Sequence, residues 1–236
     1  MVSNLNPRKV KGIVFDLDAT LVNLGGFVEW RKAHEAIVKA YLAHDCDLEF
    51  VQACSSKGLF NMMEMMHQHL QEERGIEKAN VVQHSVYQLL SDYEKIGADS
   101  CTLMEGCTDT LEWLRGKEIP LGICTSNSTR SAENALDLQG IKDYFQIIVG
   151  RTVDTPMKPH PAQLKKCFDE LKVDPRNGMM VGDSHKDIIA GRELGAYTVG
   201  IPVYFTRLEL MKEAGVDIII ENLSELRSVI ELFLDH

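Results

Sequence analysis

The chain has 236 residues and a formal charge of −10, from 35 acidic and 25 basic side chains; 44% of it is apolar and 25% charged. These proportions suit a globular chain and exclude disordered, collagenous or disulfide-dense classes. No apolar run approaches the ~18 residues needed to cross a bilayer. An acidic chain also lacks the basic footprint of a general nucleic-acid binder. Neither membrane nor nucleic acid is therefore an expected partner. The polar start, residues 1–9, has no apolar core like that of a secretion signal. The six cysteines include no CxxC pair, which speaks against a zinc knuckle or dithiol motif. A cytoplasmic protein with reduced thiols is the expectation.

Along the chain, short apolar runs at 10–15, 119–124, 145–149, 179–181, 197–201 and 216–220 predict strands. Between them lie helical patterns at 107–117, 131–138, 161–171, 185–194 and 223–234. That alternation predicts an α/β fold, a Rossmann-like parallel sheet covered on both faces. One region breaks it. From about 25 to 98 only helical pattern appears, at 27–44, 59–73 and 81–95. We expect a core built from residues 1–23 and 102–236, with an all-helical cap of residues 24–101 inserted after the first strand. Gly25, Gly26 and Gly97 are candidate hinges. The cluster Met62, Met63, Met65 and Met66 reads as gap-filling in the core of the insert. His67, His69 and His84 are too scattered to form a ligand set.

The sharpest motif is Asp16-Leu17-Asp18-Ala19-Thr20, directly after the first apolar run. With 16 Asp and 10 Thr in the chain, DxDxT is expected by chance roughly 0.05 times. Asp45-Cys46-Asp47 is a second DxD, but it follows no strand. Two carboxylates beside a buried strand repel unless a cation or shared proton uses them. Three further motifs fall where an α/β sheet collects its ligands, beyond the carboxyl ends of strands. Thr125-Ser126-Asn127 opens a helix with hydroxyls, an amide and free backbone N–H groups, the makings of an anion site. Lys158 stands between prolines before a helix. Asp183 and Asp187 in Gly182-Asp183-Ser184-His185-Lys186-Asp187 lie one helical turn apart and can share a face.

In this order the motifs resemble the haloacid dehalogenase superfamily of phosphohydrolases, in its phosphoglycolate phosphatase-like branch. The resemblance spans nearly the whole chain, including Met104-Glu105-Gly106 before a helix and the helical insert. Ala19 departs from it, since the family usually has Gly there. The resemblance implies that Asp16 attacks phosphorus and that Asp18 serves as acid, then base. It places Mg²⁺ on Asp16, the backbone carbonyl of Asp18, and Asp183, with Asp187 orienting and Thr20 supporting the first motif. Thr125, Ser126 or Asn127, and Lys158 would hold the phosphoryl oxygens.

The expected function is Mg²⁺-dependent hydrolysis of a small phosphorylated metabolite, phosphoglycolate being the leading substrate. Sugar-phosphate mutase is the alternative within the family, and a non-catalytic phospho-ligand binder the alternative outside it. Cys124 and Arg130 also match Cx₅R, the thiolate loop of cysteine-dependent phosphatases, although a buried, inert Cys124 fits its strand pattern better. The insert should act as a lid. Lys57, in the polar turn Ser55-Ser56-Lys57-Gly58, is the candidate contact to an anionic leaving group, and Arg31 the second candidate. Monomer and homodimer are both open.

Overall fold

The computed structural model describes residues 9–203 and 205–234; most of the polar start lies outside them. Six parallel strands form one sheet: β1 (Gly12–Phe15), β2 (Leu121–Ser128), β3 (Ile147–Arg151), β4 (Gly178–Gly182), β5 (Tyr197–Gly200) and β6 (Ile218–Ile219). Their order is β3-β2-β1-β4-β5-β6. Successive side chains point to opposite faces, and here both faces are buried. Ile13 and Phe15 face one apolar cluster, where α5 (Cys107–Gly116), α6 (Thr129–Leu138) and α10 (Leu226–Leu234) bring Leu114, Leu136 and Ile230. Val14 and Met180 face the other, against Leu164 and Phe168 of α7 (Ala162–Leu171) and Ala190 of α8 (His185–Glu193). Burial on two sides is why the strands read as unbroken apolar runs. Chain order reverses between β1 and β4, so a crevice opens at their carboxyl ends.

Between β1 and β2 come α1 (Trp30–Ala43), α2 (Leu48–Ser55), α3 (Leu59–Arg74) and α4 (Ile76–Ser100). They enclose an apolar cluster of their own around Ile37, Tyr41, Met62, Met63, Met66 and Leu90. The methionine reading holds for three of the four, since Met65 points outward. At the centre the Tyr41 hydroxyl donates to Gln83 Oε1 (2.9 Å), whose amide donates to the Met63 carbonyl (3.2 Å). The chain enters and leaves side by side: Asn23 N–H donates to the Thr102 carbonyl, and Met104 N–H to that of Leu21.

Several elements differ from the sequence expectation. The second DxD is a helix cap, with Asp47 accepting from Phe50 N–H (2.8 Å) at the start of α2. α4 runs 25 residues, beyond both ends of its apolar stripe. Gly97 is no hinge. It lies inside α4, where an added Cβ would sit 2.7 Å from the Leu24 carbonyl and 2.6 Å from Val28. α9 (Phe205–Glu213) had no clean stripe to announce it, since Leu210 is exposed while Met211 is buried. None of the described helices is long and apolar enough to cross a membrane.

Candidate active site

β1 ends in Phe15, and the chain then folds back on itself: Thr20, Leu21 and Val22 N–H groups all point to the Leu17 carbonyl. This turn puts Asp16 and Asp18 at the mouth of the crevice, Ala19 between them in the left-handed region (φ 61°). Gly25 N–H donates to Asp18 Oδ1 at 2.7 Å. An added Cβ on Gly25 would lie 2.2 Å from Asp18 Oδ2, so only glycine allows this approach. Gly25, a candidate hinge in the sequence, is placed by the structure against the Asp18 carboxylate.

β4 delivers Asp183 and the start of α8. Ser184 and Asp187 form a capping box there: Lys186 N–H donates to Ser184 Oγ, and Ser184 N–H to Asp187 Oδ2. The other Asp187 oxygen accepts from Lys158 Nζ at 2.5 Å, and Asp16 Oδ1 accepts from the same ammonium at 2.7 Å. The Cys124 carbonyl takes its third hydrogen (2.7 Å). Asp16, Asp183 and Asp187, all buried, bring one carboxylate oxygen each within 4.8 Å of one another. Hard, anionic oxygen donors in this number suit Mg²⁺. Two cations also face them, Lys158 and, from α9, Arg207, which forms an ion pair with Asp183. The side-chain cluster thus contains Asp187, assigned an orienting role by sequence, while the Asp18 carboxylate is engaged by Gly25.

Burial sets the protonation of these groups. Desolvation, with the Asp187 charge behind it, pushes Asp16 up to about 6 against the pull of Lys158. Asp18 is likewise pushed up to about 6, by burial first and by the Asp16 charge second. Burial works against the Lys158 charge, but Asp16 and Asp187 outweigh it and hold the ammonium above the usual lysine range.

β2 supplies the third side. Its register with β3 shifts between Cys124 and Ser128, which pair with Val149 and Arg151. Two extra residues are thereby pushed out of the ladder, and residues 125–127 arch over the crevice. Asn127 N–H donates to Thr125 Oγ1 at 3.1 Å, and that hydroxyl donates to Asn127 Oδ1.

Asp16, Asp18, Thr125, Ser126, Asn127, Lys158, Asp183 and Asp187 all line one cavity of about 810 Å³. Thr20 does not: it is buried in the turn, its hydroxyl without a hydrogen-bond partner among the described residues. Lys57 is exposed in the turn after α2 and is absent from the lining. Arg31 pairs with Glu35 on the outer side of α1 and is absent too. The insert instead presents Trp30, Phe60, Asn61 and Glu64. Glu64 Oε1 accepts from Met157 N–H (3.1 Å), and Lys186 Nζ lies 3.4 Å from Asn61 Oδ1. Sequence reasoning missed these seam contacts. Only the α3 pattern hinted at them, by showing Asn61 and Glu64 one turn apart on its polar side. Cys124 is fully buried and outside the lining, and Arg130 is exposed, so the Cx₅R reading lapses.

The model of the haloacid dehalogenase-like hydrolase family matches residues 13–201. The chain belongs to this family. A phosphoglycolate phosphatase of Chromobacterium violaceum is 26% identical over 223 residues, 94% of this chain and 97% of its own length. A pyrophosphatase PpaX of Bacillus pumilus is 25% identical over 227 residues, 96% of this chain and 99% of its own. The structure of CbbY from Rhodobacter sphaeroides in complex with phosphate matches with a TM-score of 0.65 at 18% identity, covering 92% of this chain and 96% of that one. That likeness concerns the fold.

Proposed function

We propose that the protein is a Mg²⁺-dependent phosphatase acting on small phosphomonoesters through an aspartyl-phosphate. One observation carries this reading: a single buried ammonium, Lys158, joins Asp16 to Asp187 and to the Cys124 carbonyl at the foot of the Thr125–Asn127 arch, in the cavity that Asp183 also lines. Asp16, the Asp18 carbonyl and Asp183, with Asp187 beside them, would hold Mg²⁺, which when bound neutralises phosphoryl charge. Asp16 attacks phosphorus, and the P–O bond to the leaving group breaks as Asp18 gives that oxygen its proton. Asp18, now a carboxylate, takes a proton from water; the resulting hydroxide displaces Asp16 and releases phosphate. A carboxyl held near 6 can serve both steps close to neutral pH. Lys158 and the arch hold the non-bridging oxygens throughout.

The insert serves as the lid, excluding water from the crevice and limiting the leaving group. Phosphoglycolate is the leading substrate, with support from one relative's name; the name of another makes pyrophosphate the second. Asp16→Asn should lower phosphate release from a Mg²⁺-supplemented phosphoester panel, pyrophosphate included, by at least ~10³-fold. Its circular dichroism should match that of wild type. Near-wild-type turnover by the variant, or no release by wild type across the panel, would sink the reading.

A further inference from the structure

The bulge in β2 raises a question of accounting. Backbone groups pushed out of a ladder and buried must find other partners. In the Thr125–Ser128 arch they find them in an unusual place. The Ser126 carbonyl accepts from Arg151 Nη1 at 2.6 Å. The Ser128 N–H donates to Glu94 Oε2 at 2.9 Å. Arg151 and Glu94 in turn pair with each other, Nη1 to Oε1 at 2.7 Å and Nη2 to Oε2 at 3.2 Å, a fork-to-fork arrangement. Both side chains are completely buried. The Arg151 guanidinium carbon also lies over the Tyr87 ring, 4.8 Å from its centroid. Ser91 Oγ adds a hydrogen bond to Ser128 Oγ (2.8 Å).

Two features make this more than packing. A buried ion pair stabilises a fold little, because desolvating both charges offsets their attraction; an apolar pair of similar size often serves as well. This pair also joins two different parts of the chain. Arg151 ends β3, whereas Tyr87, Ser91 and Glu94 belong to α4, the last helix of the insert. None of the four lines the cavity.

We propose that Arg151 and Glu94 are positioning residues: through the Ser126 carbonyl and Ser128 N–H they set the geometry of the phosphate-binding arch, and they fix the carboxyl half of α4 to it. This rests on the arch being the phosphate site of the proposed phosphatase. The carboxyl half of α4 is then part of the static frame. Since α1–α3 share their apolar core with α4, the whole insert is tied to this frame through Glu94.

The double variant Glu94→Leu/Arg151→Met tests this, because it removes both charges together and leaves neither unpaired. A milder variant, Arg151→Lys, keeps the charge but not the planar fork that engages Glu94 and Ser126 at once. Inorganic phosphate binding in the presence of Mg²⁺ is measured by calorimetry, and p-nitrophenyl phosphate turnover beside it. Phosphate affinity should fall roughly tenfold or more, and kcat by a similar factor, the scale of a misplaced binding group. The Mg²⁺ concentration for half-maximal turnover should stay within about twofold, because the carboxylate cluster lies just past β1 and β4 and on α8, away from the arch of β2. Should the double variant fail to fold, the Arg151→Lys measurements decide alone. Equal phosphate affinity in variant and wild type, absent binding in both included, would overturn the proposal. So would a shift in the Mg²⁺ requirement as large as the loss in kcat, which marks general disruption. Phosphate binding by wild type without any turnover would overturn the phosphatase reading and leave the positioning role standing on the affinity comparison.

Discussion

Ala19 is the one residue of the first motif that departs from the family pattern, and its backbone shows what the departure costs. At φ 61° it occupies the left-handed region, which disfavours a residue with a Cβ by roughly 1–2 kcal/mol. Glycine there relieves that strain but adds freedom to the unfolded chain, a cost of roughly 0.5–1 kcal/mol. The difference favours glycine by about 1 kcal/mol. Ala19→Gly should therefore raise the thermal midpoint by about 2–4 °C in a chain of this size. The Asp16 and Asp18 side chains are untouched, so kcat should stay within about twofold. A midpoint equal to or below that of wild type would show that the turn accommodates Ala19 without strain.

At the scale of elements, the seam between insert and core decides which cap residues matter. Glu64 reaches from α3 to the Met157 N–H, beside the segment that carries Lys158. Lys57, two turns earlier, stays outside the cavity. Glu64→Ala should lower kcat/KM for p-nitrophenyl phosphate by about tenfold, the scale of one charge-assisted hydrogen bond. Lys57→Ala should change it by less than about twofold. A loss at Lys57 as large as that at Glu64 would return the specificity contact to the α2–α3 turn. The contrast also explains what was legible in the sequence. Asp16 and Thr125 follow an apolar run directly and Asp183 follows one after a single glycine, so the sheet fixes their place as soon as the strands are recognised. Lys57 could not be placed in the same way. Its direction depends on α2, which is short and begins at a cap that reads equally well as a second acidic motif. Glu94 and Arg151 lie 57 residues apart and meet only through tertiary packing, and no local pattern distinguishes a buried Glu on a helix from a solvated one. Arg207 was equally hidden, on a helix without a clean apolar stripe.

For the whole molecule, the convergence of four aspartates in one crevice makes stability depend on pH and metal together. Asp16 and Asp18 each rise from an ordinary value of 3.8 to about 6 in the folded protein. A folded-state rise means that the folded form holds its proton more tightly than the unfolded chain. The stabilisation from these two groups is therefore complete below about 4 and is lost as pH climbs through about 6. Metal-free protein should be less stable at pH 8 than its surface charges alone would make it. Asp18→Asn, which removes one ionisation and leaves an amide oxygen for the Gly25 N–H, should stabilise the metal-free form at pH 8 by about 1–2 kcal/mol. At pH 4 the two proteins should melt together. Magnesium acts in the opposite sense, because it requires the ionised carboxylates. At a hundredfold excess over its dissociation constant it should add about 2.7 kcal/mol at pH 8. At pH 5, where about nine in ten Asp16 carboxyls hold their proton, the apparent affinity falls about tenfold and the gain should drop to about half of that. Thermal scans of wild type and Asp18→Asn at pH 4, 5 and 8, with and without magnesium, measure all three quantities. Equal magnesium stabilisation at pH 5 and pH 8 would show that the crevice carboxylates are already ionised at the lower pH, and that burial does not hold their protons.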